Sequence, residues 1–416
     1  IPILYSITTY FIAGLPALEF YWIAYDLKIG GSVPDLWVRI LPMLMIMLYL
    51  CPLDILGSFI LFYFIAVAKG TAMQRIGFSV GSEGHVLGWE KILQMEAYGA
   101  QIFVALWSIW LARDHLRRIW TQARRGKGDP RDVARYRLAF IGLAASAVYI
   151  VAWQVSIGMN LVLSIAMFVL TTLVYFLIAK LVAATGFSYL LPDWDHMKGK
   201  SFILDLVGTN HISPQGLVAF SVVTSHAYFG NFRVSAWPAI PHILRMFPVR
   251  RQLGKVAALV AVAFAVGFAS ACVSALSTGY AGGMFRSVGA GVSAFDYTVD
   301  LILNPRLPDF GRWGVWLFGF FEGTVLAIMR ARFHWFPLHP IGLAFQYTPS
   351  PHRYWATLLI VWWVKFALLR YGGVRAYETG KRFFYGLAVG YVMGALLSDG
   401  VDFVWFPLDP HIVHTW

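Results

Sequence analysis

Five ionisable side chains stand inside apolar stretches of this sequence: Glu19, Asp54, Lys180, Glu322 and Lys365. A charge at the centre of a bilayer costs about 2.5–3.5 kcal/mol on insertion scales, so it persists where it faces protein or water and pairs, relays or conducts. Glu322 lies ten residues into a seventeen-residue apolar stretch (313–329), and Lys365 is its natural partner by sign. Asp54 ends the stretch CPLD, where Pro52 breaks a helix and sets a carboxylate beside the freed carbonyls. Lys180 is near the end of its stretch, where a long side chain snorkels to the interface. Asp54, Glu322, Lys365 and Glu19 are therefore the expected residues of a substrate or ion pathway, or of buried ion pairs.

Other chemistry finds little support. Asp193, Asp195 and His196, then His334 and His339, then Asp409, His411 and His414 are metal-ligand types, but none stands at a complete ligand spacing. The two cysteines, Cys51 and Cys272, exclude most structural zinc schemes. No phosphate-cradling loop, nucleophile elbow, zincin or dinucleotide motif is present. An enzymatic reading has no foothold, and no metal or cofactor is expected.

The elements that must position these residues follow from composition. Of 416 residues, 59% are hydrophobic, 17% aromatic and 13% charged, with a mean hydropathy of +0.65; a soluble domain carries about 25% charged residues. Continuous apolar runs without period-2 alternation predict membrane-spanning helices and exclude a barrel. The expected class is an all-α polytopic integral membrane protein. The formal charge of +12 reads as cytoplasmic loops of such a protein, with the lipid bilayer as partner and no nucleic acid.

Along the chain, a first span is expected near 3–25, interrupted by Gly14 and Pro16. The run 37–68 would be roughly 48 Å long as one helix, so a broken or strongly tilted helix at Pro52 is expected. Residues 69–91 read as a polar, glycine-rich connection. The loop 113–137 carries nine Lys/Arg against three Asp and is placed in the cytoplasm. A hairpin of spans at 138–155 and 159–184 follows. Within 186–254, Ser213 is a plausible N-cap with Pro214 at the first helical position, and a re-entrant or interfacial helix is preferred there. Spans at 255–276, 313–329, 354–369 and 383–397 bring the count to about eight, plus one or two partial ones; the linker 280–312 belongs opposite the basic loop. The chain divides into a main region, 1–329, and a carboxy-terminal module, 330–416.

Two features mark how helices end and pack. WFPLHP (335–340) returns as WFPLDP (405–410), each with an interfacial Trp and Pro stops where a helix leaves the membrane. Gly386, Gly390 and Gly394 recur every four residues, which puts them on one helix face open to close approach. Such a face and the aromatic surfaces are where partner membrane subunits, or a second copy, would pack.

The segment from His339–Gly342 (HPIG), through a Trp-rich helix with a central Lys365, to Leu369–Gly373 (LRYGG) with Arg375 and Tyr377 and the glycine-rich last helix, resembles the carboxy-terminal module of an uncharacterised bacterial family of multi-pass membrane proteins. LYLCPLDILGSFILFYF and the helix leading to WLARDHLRRIW resemble the same family. That family is similar in helical layout to oligopeptide transporters. The resemblance implies a multi-pass protein of the bacterial inner membrane resembling a secondary transporter of unknown substrate. Family members are longer at the amino terminus, so part of a transporter core is expected to precede residue 1. The alternative reading is a non-transporting structural or accessory subunit of a larger complex.

Overall fold

The computed structural model describes residues 2–12, 14–15, 25–81, 85–126, 128–187, 190, 200–225, 249–282, 295–406 and 411. Among the described residues the regular structure is helical apart from one antiparallel hairpin of β1 (Tyr25–Leu27) and β2 (Leu36–Val38) and an isolated bridge between Val80 and Leu87. Among the described residues, six helical stretches are long and apolar enough to cross a membrane: Leu53–Ile76, Pro130–Ser156, Leu161–Thr185, Gly254–Ser277, Phe310–Arg332 and Pro349–Trp405. Of the expected first span, the described part is α1 (Pro2–Phe11), ten residues or about 15 Å; residues 13 and 16–24 lie outside the described ones.

Pro52 divides the second apolar run, and the two parts reverse instead of bending. Cys51 and Pro52 are both extended (ψ 142° and 140°), ending α2 (Pro42–Leu50) and preceding α3 (Leu53–Ile76). Later helices fix the directions. Leu41 N donates to Thr357 Oγ1, and Lys365 Nζ to Tyr49 O, so α2 runs with the helix that carries those residues. Gly57 faces Trp362 and Tyr63 faces Trp355, so α3 runs against it. A short inward helix therefore turns back at Pro52 into a full span, in place of the expected tilted or broken single element.

The polar connection expected at 69–91 is also corrected, because α3 continues to Ile76 and closes on Gly77 in the left-handed region (φ 66°). Next, α4 (Trp89–Leu111) leads into α5 (Arg113–Arg125), so the basic loop is largely an amphipathic helix. Asp129 caps α6 (Pro130–Ser156), and Asn160 caps α7 (Leu161–Thr185) after a short turn, as the hairpin reading expected. Then come α8 (Lys200–Val207) and α9 (Pro214–Ser225); Ser213 Oγ accepts from Gly216 N, the anticipated cap. With twelve residues, α9 is too short to span, and it packs with α7 and α8. The long helix α10 (Val249–Gly282) is followed by a helical stretch, 295–303.

α11 (Phe310–Arg332) lies parallel to α4 at unusually short range. Gly319 faces the Glu96 carbonyl, Gly99 faces Trp316, and Gly323 faces Ala100 and Phe103. After α11 the chain passes through α12 (Pro340–Ala344) into α13 (Pro349–Ala367), a π-helical turn (Leu368–Gly372) and α14 (Gly373–Trp405). Gly373 takes φ 63° where the direction changes. Tyr377 stacks on Tyr49, and Tyr391 clusters with Leu41 and Met43, so α14 returns along α2 against α13. The final helical stretch is thus a hairpin of two arms with α2 beside both.

These directions sort the charge. α4 and α11 end at one face, α3 and α14 begin there, and Arg113–Arg125, Arg330, Arg332, Arg375, Lys381 and Arg382 gather on it. This is the basic face. One large core joins α2, α3, α4, α7, α12 and α13, so residues on both sides of 329/330 share it.

Candidate functional site

The segment between α11 and α13 turns inward instead of leaving the protein. Residues 340–352 are all buried, and such irregular backbone is tolerated at membrane depth only if its polar groups find partners. His339 is the entry. Its backbone N donates to Ser58 Oγ (2.8 Å), and its Nδ1 accepts from Ile341 N (3.1 Å), capping α12. Burial pushes the His339 imidazole down to about 4, and Arg330 adds to this, so the ring is neutral at neutral pH and able to accept. Gly342 lies on the Ser58 carbonyl, where a Cβ would come within 2.6 Å of the oxygen. Gln101 Nε2 donates to Ala344 O (2.9 Å). The first hexamer is therefore both a stop and a start: Trp335 is exposed beyond α11, and Pro340 opens the re-entrant turn. In the second copy, Trp405 ends α14, while Pro407, Asp409 and Pro410 lie outside the described residues.

The tip of this segment meets charges from three helices. Lys69 of α3 pairs with Glu96 of α4, and Lys69 Nζ lies 3.7 Å from Glu322 Oε2 of α11. Gln346 joins them, donating from Nε2 to Glu96 Oε1 (2.8 Å) while its Oε1 lies 3.5 Å from Lys69 Nζ. The Glu96 side chain is 3% exposed, against 25% for Lys69 and 28% for Glu322. Glu96 is therefore the enclosed charge, held by two donors, whereas Glu322 Oε2 has no hydrogen-bond partner among the described residues. With all three ionised, two carboxylates share one ammonium and the cluster carries one net negative charge.

Toward the opposite face, a cavity of about 790 Å³ lies under the β-hairpin, walled by Trp37, Trp89, Tyr347 and His352 and bearing Asp35 and Glu90. Its floor is aromatic. The Trp89 ring covers Gly70, next in sequence to Lys69, and meets the Tyr347 ring edge-on at 5.2 Å. Glu96 lies seven residues further along α4, roughly 10 Å. Trp89 and Tyr347 thus stand between the cavity and the charged cluster.

The sequence-derived residues are distributed differently from expectation. Glu322 is in the cluster, but its partner is Lys69 and not Lys365. Lys365 is buried at the turn after α2, where Nζ donates to Tyr49 O (2.8 Å) and Cys51 O (2.6 Å) between the rings of Tyr49 and Tyr377. It satisfies carbonyls that the reversal at Pro52 strands. Asp54 is at the basic face, with its Oδ2 accepting from Arg330 Nη2 at 2.6 Å; the pair ties the start of α3 to the end of α11. Lys180 donates to Ser108 Oγ (2.6 Å) near the same face. Glu19, Asp193, Asp195, His196 and His414 lie outside the described residues. His411 pairs with Asp402 (2.8 Å), and among the described residues no three His, Cys, Asp or Glu side chains converge as metal ligands.

Of the glycine stripe, Gly394 takes close contact from Ile3 of α1, while Gly386 and Gly390 have nothing within 4 Å among the described residues. Tight helix contact is made instead by Gly99, Gly319 and Gly323. Sequence reasoning missed Lys69, Glu96 and Gln346. A signal existed in α4, whose Gln94, Glu96, Gln101 and Ser108 are all buried; a helix flanked by apolar spans yet rich in amides and carboxylates turns its polar side inward.

Fold and site together define a helical membrane protein with a buried, inward-turning segment and a buried charged cluster. The chain belongs to the family of unknown function DUF6785, which it matches over residues 32–408. Neither a curated protein nor a solved structure matches it.

Proposed function

We propose that this protein is a secondary transporter, with the Lys69–Glu96–Glu322–Gln346 cluster on its substrate or coupling-ion route. The observation that carries the reading is the convergence of three helices and a buried re-entrant tip on an odd charge count. A site with two carboxylates and one ammonium is balanced by taking up one proton or cation, and Glu322, with the weaker hold on Lys69, is the group that exchanges. The cavity beyond Trp89 and Tyr347 serves as the entrance. The Asp54–Arg330 pair and the contact of His339 with Ser58 close the other end. Discontinuous helices around a mid-depth site also support kinship in layout with oligopeptide transporters. On this reading α4 and both arms of the last hairpin are membrane elements, which brings the count toward eight.

The decisive measurement is uptake by reconstituted vesicles under imposed proton and sodium gradients. Glu322→Gln keeps size and leaves Glu96 and Lys69 as a neutral pair, so yield and melting temperature should stay near wild type while uptake, or its pH dependence, is lost. Unchanged flux and pH profile in Glu322→Gln would remove the cluster from the route.

A second reading, a non-transporting subunit of a larger complex, is favoured by α6 and α10. Each buries only 6% of its apolar window within the chain, leaving faces for lipid or partner helices. Purification with fixed partner chains, and no flux under any gradient, would support it.

The location that best accounts for the charge is the bacterial inner membrane with the basic face cytoplasmic. His115 and Asn304, exposed at the basic and opposite faces, provide the check. In a Cys272→Ser background, an impermeant thiol reagent on intact cells should label His115→Cys weakly or not at all and Asn304→Cys fully. The reverse pattern would invert the orientation.

A further inference from the structure

The cavity under the β-hairpin has a chemistry of its own, separate from that of the charged cluster. Its volume, about 790 Å³, falls in the usual range of small-molecule sites, roughly 300–1,000 Å³. Its walls are aromatic on several sides, and the key ring is fixed in place. With the amide of Gln74 oriented to satisfy both neighbours, its oxygen accepts from Trp89 Nε1 and its nitrogen donates to Ser32 O, both at 2.6 Å. A hydrogen-bonded chain thus links the hairpin, α3 and Trp89, and the indole is held as a wall before any ligand arrives.

Charge decides what such a cavity takes. Among the described residues, its lining carries two carboxylates, Asp35 and Glu90, against one ammonium, Lys28, in a protein whose formal charge is +12. Lys91 adjoins Glu90, and the guanidinium groups of Arg39 and Arg353 lie over the Trp37 ring at 5.2 and 6.0 Å. Those two contacts show that the aromatic wall already attracts cations from its own chain. Aromatic faces attract ammonium groups by their quadrupole, with the strongest pull from Trp and more when water is excluded. Asp35 and Glu90 repel an anionic ligand and attract a cation, while a neutral ligand gains from them only hydrogen bonds.

We propose that this cavity binds a small organic cation, an amine or quaternary ammonium, with the cationic group against Trp89 and Tyr347 and its charge balanced by Glu90 and Asp35. This rests on the transport reading only for the cavity's place on a route. Binding is an equilibrium property that stands or falls without flux.

The test is calorimetric titration of the detergent-purified full chain with choline, with tetramethylammonium and with 3,3-dimethylbutan-1-ol, the neutral isostere of choline. Choline and tetramethylammonium should bind saturably, and the neutral isostere at least about tenfold more weakly. Trp89→Leu and Glu90→Gln should each weaken choline at least about tenfold, while Gly386→Ala, remote from the cavity, leaves it unchanged. The comparison of choline with its isostere uses wild-type protein alone, so it decides the matter even where a variant fails to fold. Equal affinity for choline and the neutral alcohol, or no saturable binding of either cation by tens of millimolar, overturns the proposal. Binding with no flux under any gradient would keep this site and defeat the transport reading; flux with no cation binding would do the reverse.

Discussion

Gly319→Val is expected to abolish folded protein, and Gly319→Ala to lower stability by about 3 kcal/mol. α4 and α11 lie parallel with their backbones in contact, and a Cβ on Gly319 would fall inside the carbonyl group of Glu96. The obstacle is backbone, so no side-chain rotamer relieves it and the helices must separate along their length. Separation also draws Glu96 and Glu322 away from Lys69, so on the proposed transport reading any Gly319→Ala protein that survives should lose uptake with its stability. Gly386→Ala and Gly390→Ala are the controls: nothing lies within 4 Å of either, and changes within about 0.5 kcal/mol are expected. Melting temperature in detergent and yield of monodisperse protein check both. A Gly319→Ala melting curve that overlays wild type would show that α4 and α11 are not held this closely.

Lys69→Met is the second large effect. It leaves Glu96 enclosed and Glu322 without its cation; breaking a buried pair by removing one partner costs about 3–5 kcal/mol, mostly through the stranded charge. Glu96→Gln in the same chain removes that charge and retains an acceptor for Gln346 Nε2, so the double variant should recover much of the loss. Lys365→Met should not rescue Lys69→Met, because Lys365 serves the Tyr49 and Cys51 carbonyls. A double-mutant cycle on melting temperature distinguishes these partners. Coupling between positions 322 and 365, with none between 69 and 96, would refute the cluster.

Several misreadings of the sequence share one cause. Hydropathy assigns each residue an environment averaged over its neighbours. Lys69 ends an apolar run and stands before polar, glycine-rich residues, so the run seems to stop there, although α3 continues to Ile76. Glu96 falls in a stretch too polar to read as a span, although packing against α11 and α12 buries it. Pro52 announces a break but carries no sign of its angle; contacts with α13 and α14 set the reversal. The stripe at Gly386–Gly394 is regular and largely open, whereas Gly99, Gly319 and Gly323 lie on two helices far apart in sequence. Close approach needs both faces, and a single sequence displays one at a time.

The sequence by itself determined the solvent and therefore the element type. With so much apolar surface and so few charges, backbone polar groups must be satisfied within helices, and the Lys/Arg distribution and caps such as Asp129, Asn160 and Ser213 set many of their ends. It also singled out Glu322 as a charge that must face protein. Which cation answers it was decided only by the tertiary structure. Pairing across 3–4 Å depends on helix direction, depth and rotation, and these are fixed by the glycine contacts of α4 with α11 and by the inward turn of residues 340–352. Lys69 and Lys365 are equal candidates by charge; only packing places one beside Glu322 and the other beneath the carbonyls of α2.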